Sequence, residues 1–176
     1  MSLPCFLDFE ASSLGVNSYP IQVAWSRPEG DIECWLISPA GIPEWDDWDP
    51  NAQAVHQIRR EQLLDHGQPP ARVAAQMNDQ LAGQVVYAGA AYDSLWLQTL
   101  FEFAEQAQRF TLGDYWGLIH DLMPASVTRK LGWPAEWGEA AWRRTPGRRH
   151  DAGNDVRHMI ELYRMALARS GKMPRS

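Results

Sequence analysis

Three strand patterns crowd into the first 38 residues, and helical patterns then alternate with short strands to the end of the chain. Leu3–Phe9 reads as a buried first strand, followed by the turn-rich stretch Ser12–Ser18. Ile21–Ser26 and Ile32–Ser38 are two further strand patterns, separated by Arg27-Pro28-Glu29-Gly30-Asp31, which has hairpin-turn chemistry. Early strands followed by alternating helix and strand indicate an α/β layer architecture with a mixed sheet.

The later elements are read from apolar spacing and breakers. Pro39–Pro50, with three prolines and the acidic-aromatic run Glu44–Asp49, is expected to be a long surface loop. Helices are expected over Asn51–Leu64 and Ala71–Leu81, with Gly67–Pro70 as the break. Val85–Ala88 is a short buried strand, Asp93–Ala107 a helix and Phe110–Leu112 a fifth strand. Asp114–His120 and Ala125–Leu131 read as short helices, Pro134–Gly147 as a Trp- and Arg-rich loop, and His150–Ala168 as the last helix. Its apolar side carries Val156, Met159, Ile160, Tyr163 and Leu167. Ser170–Ser176 is expected to fray.

A chain of 176 residues with 45% hydrophobic content has enough apolar material for the core of one ordinary domain. No apolar run approaches a membrane span, and the start lacks the basic region of a signal peptide, so a cytoplasmic location is the default expectation. Two isolated cysteines, Cys5 and Cys34, in strand-like contexts are expected to be buried thiols, with neither a disulfide nor a zinc site. The net charge of −6 argues against electrostatic coating of long nucleic acid, which wants a basic face. It is compatible with a carboxylate-lined metal site, whose bound cations would offset part of that charge.

Asp8 and Glu10 lie two apart on the first strand, so the strand period puts both side chains on one face. Burying carboxylates is costly unless they are paired or bind a cation. The alternative is a strand that ends at Asp8, leaving both acids solvated. Asp93 follows the strand Val85–Ala88 at a helix start, where Asp is favoured as a cap and where α/β sites also gather. His150 and Asp155 open the last helix, and an aspartate in a first turn is favoured by the helix dipole. Each signal is weak alone.

Their combination resembles the DEDDh family of DnaQ-like 3′–5′ exonucleases. Phe6-Leu7-Asp8-Phe9-Glu10-Ala11-Ser12-Ser13-Leu14 looks like the family's first motif, Tyr92-Asp93-Ser94-Leu95-Trp96-Leu97 its second, and His150-Asp151-Ala152-Gly153-Asn154-Asp155 its third. Val55-His56-Gln57-Ile58, followed by Glu61 and Leu63, resembles the segment between the first two. The resemblance covers about residues 3–168. Ala11-Ser12-Ser13 stands where members often carry Thr-Thr-Gly, and Gly89 where many carry Asn; both departures concern substrate contacts and spare the metal ligands.

The resemblance implies a ribonuclease-H-like three-layer fold, a five-stranded mixed sheet with helices on both sides, in one domain over residues 1–176. It implies two Mg²⁺ or Mn²⁺ ions held by Asp8, Glu10, Asp93 and Asp155, with His150 as the base that activates water. Hard divalent cations do prefer such oxygen ligands. His56, the backbone from Ala11 to Leu14, and Leu14 as a wedge are expected at the terminal nucleotide. Arg143, Arg144, Arg148 and Arg149 flank His150, and arginine pairs well with phosphate; Arg149 is the one assigned to substrate. Among the nine tryptophans, Trp137 and Trp142 are candidates to stack on a base. The implied partner is a nucleic acid, RNA or DNA, with a free single-stranded 3′ end; no membrane is implied, and a homodimer stays open. The alternative is a nucleic-acid-binding module on the same fold without turnover, against which the presence of all five site residues counts.

Overall fold

In the computed structural model, which describes residues 2–171, a five-stranded sheet runs in the order β3-β2-β1-β4-β5. β1 (Cys5–Ala11), β2 (Pro20–Ser26) and β3 (Ile32–Leu36) form an antiparallel meander. β4 (Val85–Ala88) pairs parallel with β1, and β5 (Thr111–Asp114) parallel with β4. The meander turns through Gly30, whose φ of 94° is open to glycine at little steric cost. Parallel strands need long crossovers, and helices supply them here.

The period of two along β1 divides the molecule into layers. Cys5, Leu7, Phe9 and Ala11 join one apolar core with Val73, Met77 and Leu81 of α3 (Pro70–Leu81) and Leu97 and Leu100 of α4 (Ala91–Phe103). Phe6, on the opposite face, joins a second core with Tyr115 and Ile119 of α5 (Tyr115–Leu122), Val127 of α6 (Ala125–Thr128) and Ala141 of α7 (Trp133–Trp142). Val156, Ile160 and Leu162 of α8 (Ala152–Ser170) complete that second core. Asp8 and Glu10 share the parity of Phe6, so they face the α8 layer.

Several local features differ from the sequence pattern. The first strand runs on through both acids to Ala11, with a register shift between Glu10 and Ala11. Bulges of this kind re-aim side chains where pairing ends. The helical stretch after residue 50 is two helices, α1 (Pro50–His56) and α2 (Arg60–His66), broken by Gln57 in the left-handed region at φ 58°. The break lets Ile58 turn into the core while its N–H donates to Nδ1 of His56 at 3.0 Å. The Trp-rich stretch after residue 132 is helical: Pro134 sits at the start of α7, where its missing N–H costs nothing, and Trp133 and Ala141 give the helix a buried side.

The proline-rich loop before α1 is pinned to the core by Trp45, which is buried and stacked on Tyr19 at 5.1 Å between ring centroids. Cys5 is buried as expected, but Cys34 is exposed, because β3 is an edge strand. Ser170 is still helical and Gly171 caps α8 in the left-handed region; the rest of the expected frayed tail, 172–176, lies outside the described residues. Among the described residues no helix is long and apolar enough to cross a membrane.

Candidate active site

The N-terminus of α8 is docked over the end of β1. Gln22 pairs with Glu10 across the strands, and its side-chain oxygen accepts from the N–H of Ala152, the first residue of α8, at 3.0 Å. The helix start is closed reciprocally: Asp151 accepts from the Asn154 N–H at 3.1 Å, and Asp155 accepts from the Asp151 N–H at 3.0 Å. Asp155 is thereby held above β1. Oxygens of Asp8, Glu10 and Asp155 lie within 4.8 Å of one another.

Burial and mutual repulsion act together on these groups. Asp8 is raised well above the usual carboxylate range, first by burial and then by the charges of Asp93, Asp155 and Glu10. Glu10 is pushed up to about 8 by burial and by Asp155 and Asp151, against a lowering pull from Arg148. Asp155 is raised as well, mainly by burial. Three partly buried oxygen donors that disfavour each other's ionised form suit a hard divalent cation.

Asp93 stands apart from this trio. It is buried in the first turn of α4, where its Oδ2 accepts from the Ala90 N–H at 2.9 Å. Burial raises it to about 6, against hydrogen bonds from the backbone at Ala90, Phe9 and Gly89 that favour the charged form. Its capping role and its electrostatic effect on Asp8 hold at once.

A cavity of about 370 Å³ opens over the carboxylates. Asp8, Glu10 and Asp155 line it together with His150, Ala11, Leu14 and His56, so most of the residues singled out from sequence meet here. Phe9, Ser13, Val55 and Trp96, which lie inside the motif segments but carried no assigned role, complete the wall together with Ala52, which no motif includes. Ser13 is fixed by hydrogen bonds from its hydroxyl to Asp47 and from the Gly15 N–H, which ties the loop after β1 to the proline-rich loop.

His150 is not part of the last helix. It is exposed, two residues ahead of α8, with φ 58° in the left-handed region, a conformation uncommon outside glycine but enriched in histidine. His56 is buried at 2% exposure. Because its Nδ1 accepts a backbone N–H, the neutral ring carries its proton on Nε2, and that buried atom has no hydrogen-bond partner among the described residues. Burial, with the nearby charges of Arg148 and His150, lowers His56 to about 4.

The arginines separate. Arg148 donates to the carbonyls of His56 and His150 at 2.6 and 3.2 Å and acts on Glu10, so it belongs to the site. Arg149 does not line the cavity; it pairs with Glu139 at 2.6 Å and lies over the Trp142 ring at 5.2 Å. Trp142 is already stacked on His158, with 4.4 Å between ring centroids, and Trp137 packs against the second core, so neither lines the cavity.

No protein-family model matches the chain, and no curated protein matches it. Solved structures do. Escherichia coli exonuclease I in complex with a dA16 oligonucleotide superposes with a TM-score of 0.68 at 15% identity, over 97% of this chain and 42% of that one. The zinc-bound form of the E. coli exonuclease I complex with single-stranded DNA gives 0.67 at 18% identity, over 97% and 42%. A moderately thermophilic exonuclease I from Methylocaldum szegediense gives 0.61 at 15%, over 94% and 41%. The chain thus spans about two-fifths of the length of these proteins. At such identities the likeness shows the fold, and the chain has the ribonuclease-H-like three-layer α/β architecture of those exonucleases.

Proposed function

We propose that this chain is a divalent-metal-dependent 3′–5′ exonuclease of the DEDDh type, acting on single-stranded ends and releasing nucleoside 5′-monophosphates. The observation that carries the reading is the convergence of Asp8, Glu10 and Asp155 within 4.8 Å on a cavity that His150 also lines. The fold supports it, and so does the single-stranded nucleic acid bound in the similar exonuclease I structures.

Asp8, Glu10 and Asp155 would hold two Mg²⁺ or Mn²⁺ ions, with Asp93 behind Asp8 contributing to the second. Such ions, when bound, would supply positive charge against the scissile phosphate and would lower the pKa of a nearby water. His150 takes the proton of the attacking water on an imidazole nitrogen. His56, neutral at physiological pH, offers its Nε2–H to the terminal nucleotide. Arg148 holds the backbones of both histidines and leaves its charge beside Glu10. Ala11 and Leu14 line the wall against the terminal sugar and base.

The test is an RNA and a matched DNA oligonucleotide, each labelled at the 5′ end, incubated with Mg²⁺ or Mn²⁺ and with chelator. A ladder that shortens stepwise in metal, and no change in chelator, is the expected result. Cutting of a circular single strand, or immediate release of the labelled 5′ mononucleotide, overturns the assignment.

A further inference from the structure

Arg144 lines a different hollow, of about 290 Å³, which shares no lining residue with the carboxylate cavity. Three parts of the chain meet around it: the turn between β2 and β3 at Gly30, the connection from α7 to α8, and one side of α8. On α8, Arg157, Glu161 and Arg164 fall four and three residues apart, so they share a face of the helix. Ile32 and Ile160, both packed in the second core, supply apolar surface to the wall. Arg144, Arg157 and Arg164 stand against one acid, Glu161, an excess of positive charge in a chain whose net charge is −6.

Little within the protein takes up this charge. Arg144 reaches Glu161 only at 3.4 Å and is 62% exposed, a pairing that water screens and that holds the side chain weakly. Arg157 donates to the Asn154 Oδ1 at 2.8 Å, a neutral partner that leaves its charge unmatched. The Arg164 guanidinium has no hydrogen-bond or ion-pair partner among the described residues. Guanidiniums gathered around one hollow repel each other, and a concave wall of one sign focuses its field on whatever enters. What sets this apart from an ordinary solvated face is that concavity, with arginines brought from two separate parts of the chain. The planar fork of arginine matches phosphate oxygens. We propose that the hollow binds a phosphate group, carried either by a nucleic-acid strand or by a small molecule. Its volume lies near the lower end of the range for ligand pockets, about 300–1,000 Å³, and suits one phosphate with part of the group that bears it. The site goes beyond the exonuclease reading and does not depend on it.

Titration calorimetry of the full chain tests the site, in chelator and with ionic strength held constant by chloride. The probes are inorganic phosphate, adenosine 5′-monophosphate and a single-stranded DNA oligonucleotide. The proteins are wild type, Arg144→Gln, Arg164→Gln and, as a control, Arg129→Gln, which removes the same charge from an exposed arginine outside the hollow. Inorganic phosphate should bind wild type and Arg129→Gln alike. It should bind Arg144→Gln and Arg164→Gln about tenfold more weakly, the scale of one charge-assisted hydrogen bond. The other probes identify the source of the phosphate. Weakening by Arg144→Gln and Arg164→Gln for the oligonucleotide alone assigns it to a strand, and weakening for adenosine monophosphate assigns it to a small molecule. Weakening for inorganic phosphate with none for either nucleotide probe would leave an adventitious ion only and overturn the site. No binding of phosphate to wild type, equal affinity in all four proteins, or an equal loss in Arg129→Gln would overturn it as well.

Discussion

Arg148 donates from Nη2 to the carbonyl oxygen of His56 at 2.6 Å, joining two residues 92 positions apart in the chain. A second bond, from Nη1 to the His150 carbonyl at 3.2 Å, makes the same guanidinium a brace between the buried and the exposed histidine. A lysine has no planar fork to span both carbonyls. Arg148→Met and Arg148→Lys should therefore both lower kcat, roughly ten- to a hundredfold, as expected when a reacting group is misplaced by about an ångström. The stability loss should be only about 1 kcal/mol, because the side chain is largely exposed. Steady-state kinetics beside urea unfolding separates the two effects; an unchanged kcat in both variants would remove the brace from the catalytic account.

The carboxylate cluster makes the metal-free protein sensitive to alkali. Glu10 titrates at about 8 in the fold against an ordinary value of 4.5, and Asp8 and Asp155 are raised too. Between those limits the folded state binds more protons than the unfolded one, so these groups make stability fall as pH rises from about 4.5 through 8. His56, lowered from 6.5 to about 4, acts in the other direction and only as pH falls below 6.5. Above pH 6.5 the carboxylates therefore act unopposed by His56. In chelator the melting temperature should drop between pH 6.5 and 8, and Mn²⁺ should stabilise more at pH 8 than at pH 6. Scanning calorimetry at both pH values checks this, and a metal-free melting temperature that rises with pH would contradict the cluster's electrostatics.

Neutralising one member of the cluster should reverse the trade. Asp8→Asn removes the charge that Asp93, Asp155 and Glu10 all oppose. Its melting temperature in chelator at pH 8 should rise above that of the wild type, while cleavage and the stabilisation by Mn²⁺ should both be lost. Near-normal cleavage by Asp8→Asn would exclude Asp8 as a metal ligand.

The acids were legible in the sequence because strand parity is a strict rule: residues 8 and 10 must share a face whatever surrounds them. Asp155 stood out only through the resemblance of its motif, because an aspartate in the first turn of a helix is common without any site. What spacing could not show is backbone conformation. His150 reads as a helix residue, yet it sits in a left-handed turn ahead of α8. That turn follows Gly147 at φ 95°, where a Cβ would collide with the Asn154 amide, which itself donates to the Arg148 carbonyl at 3.1 Å. The path of this loop decides that Arg148 braces the site and Arg149 leans on Trp142, a choice between adjacent identical residues that no composition rule makes. α7 was hidden for a related reason, since Pro134 breaks helices except in their first turn.

Because His150 is exposed and sits outside the carboxylate trio, its loss should affect chemistry more than metal binding. His150→Ala should lower the rate roughly 10²–10⁴-fold, the range for a lost general base. Titration calorimetry with Mn²⁺ should give an affinity close to that of the wild type. A large loss of Mn²⁺ affinity would make His150 a ligand and require a different base.

His56 gives the last prediction, because its Nε2–H is buried without a partner among the described residues. An unpaired buried donor costs free energy in the free protein, on the order of 1–3 kcal/mol, so a ligand group that satisfies it gains that much on binding. If the group is the 3′-terminal nucleotide, His56→Ala should raise KM for a short oligonucleotide more than it changes Mn²⁺ affinity. The same variant should be less stable than the wild type at pH 7, where it leaves the buried Ile58 N–H without its acceptor, and the difference should narrow as pH falls from 6.5 toward 4, where the histidine resists a proton that the unfolded chain accepts. The donor also implies polarity of attack. A 3′-phosphate adds bulk and charge where the terminal sugar must approach Ala11 and His56, and should slow cleavage strongly; a 5′-phosphate lies at the far end and should matter little. The rates of wild type and His56→Ala on substrates with no terminal phosphate, with a 3′-phosphate and with a 5′-phosphate decide the point. Equal sensitivity to phosphate at either end would place the strand in the cavity by something other than its 3′ terminus.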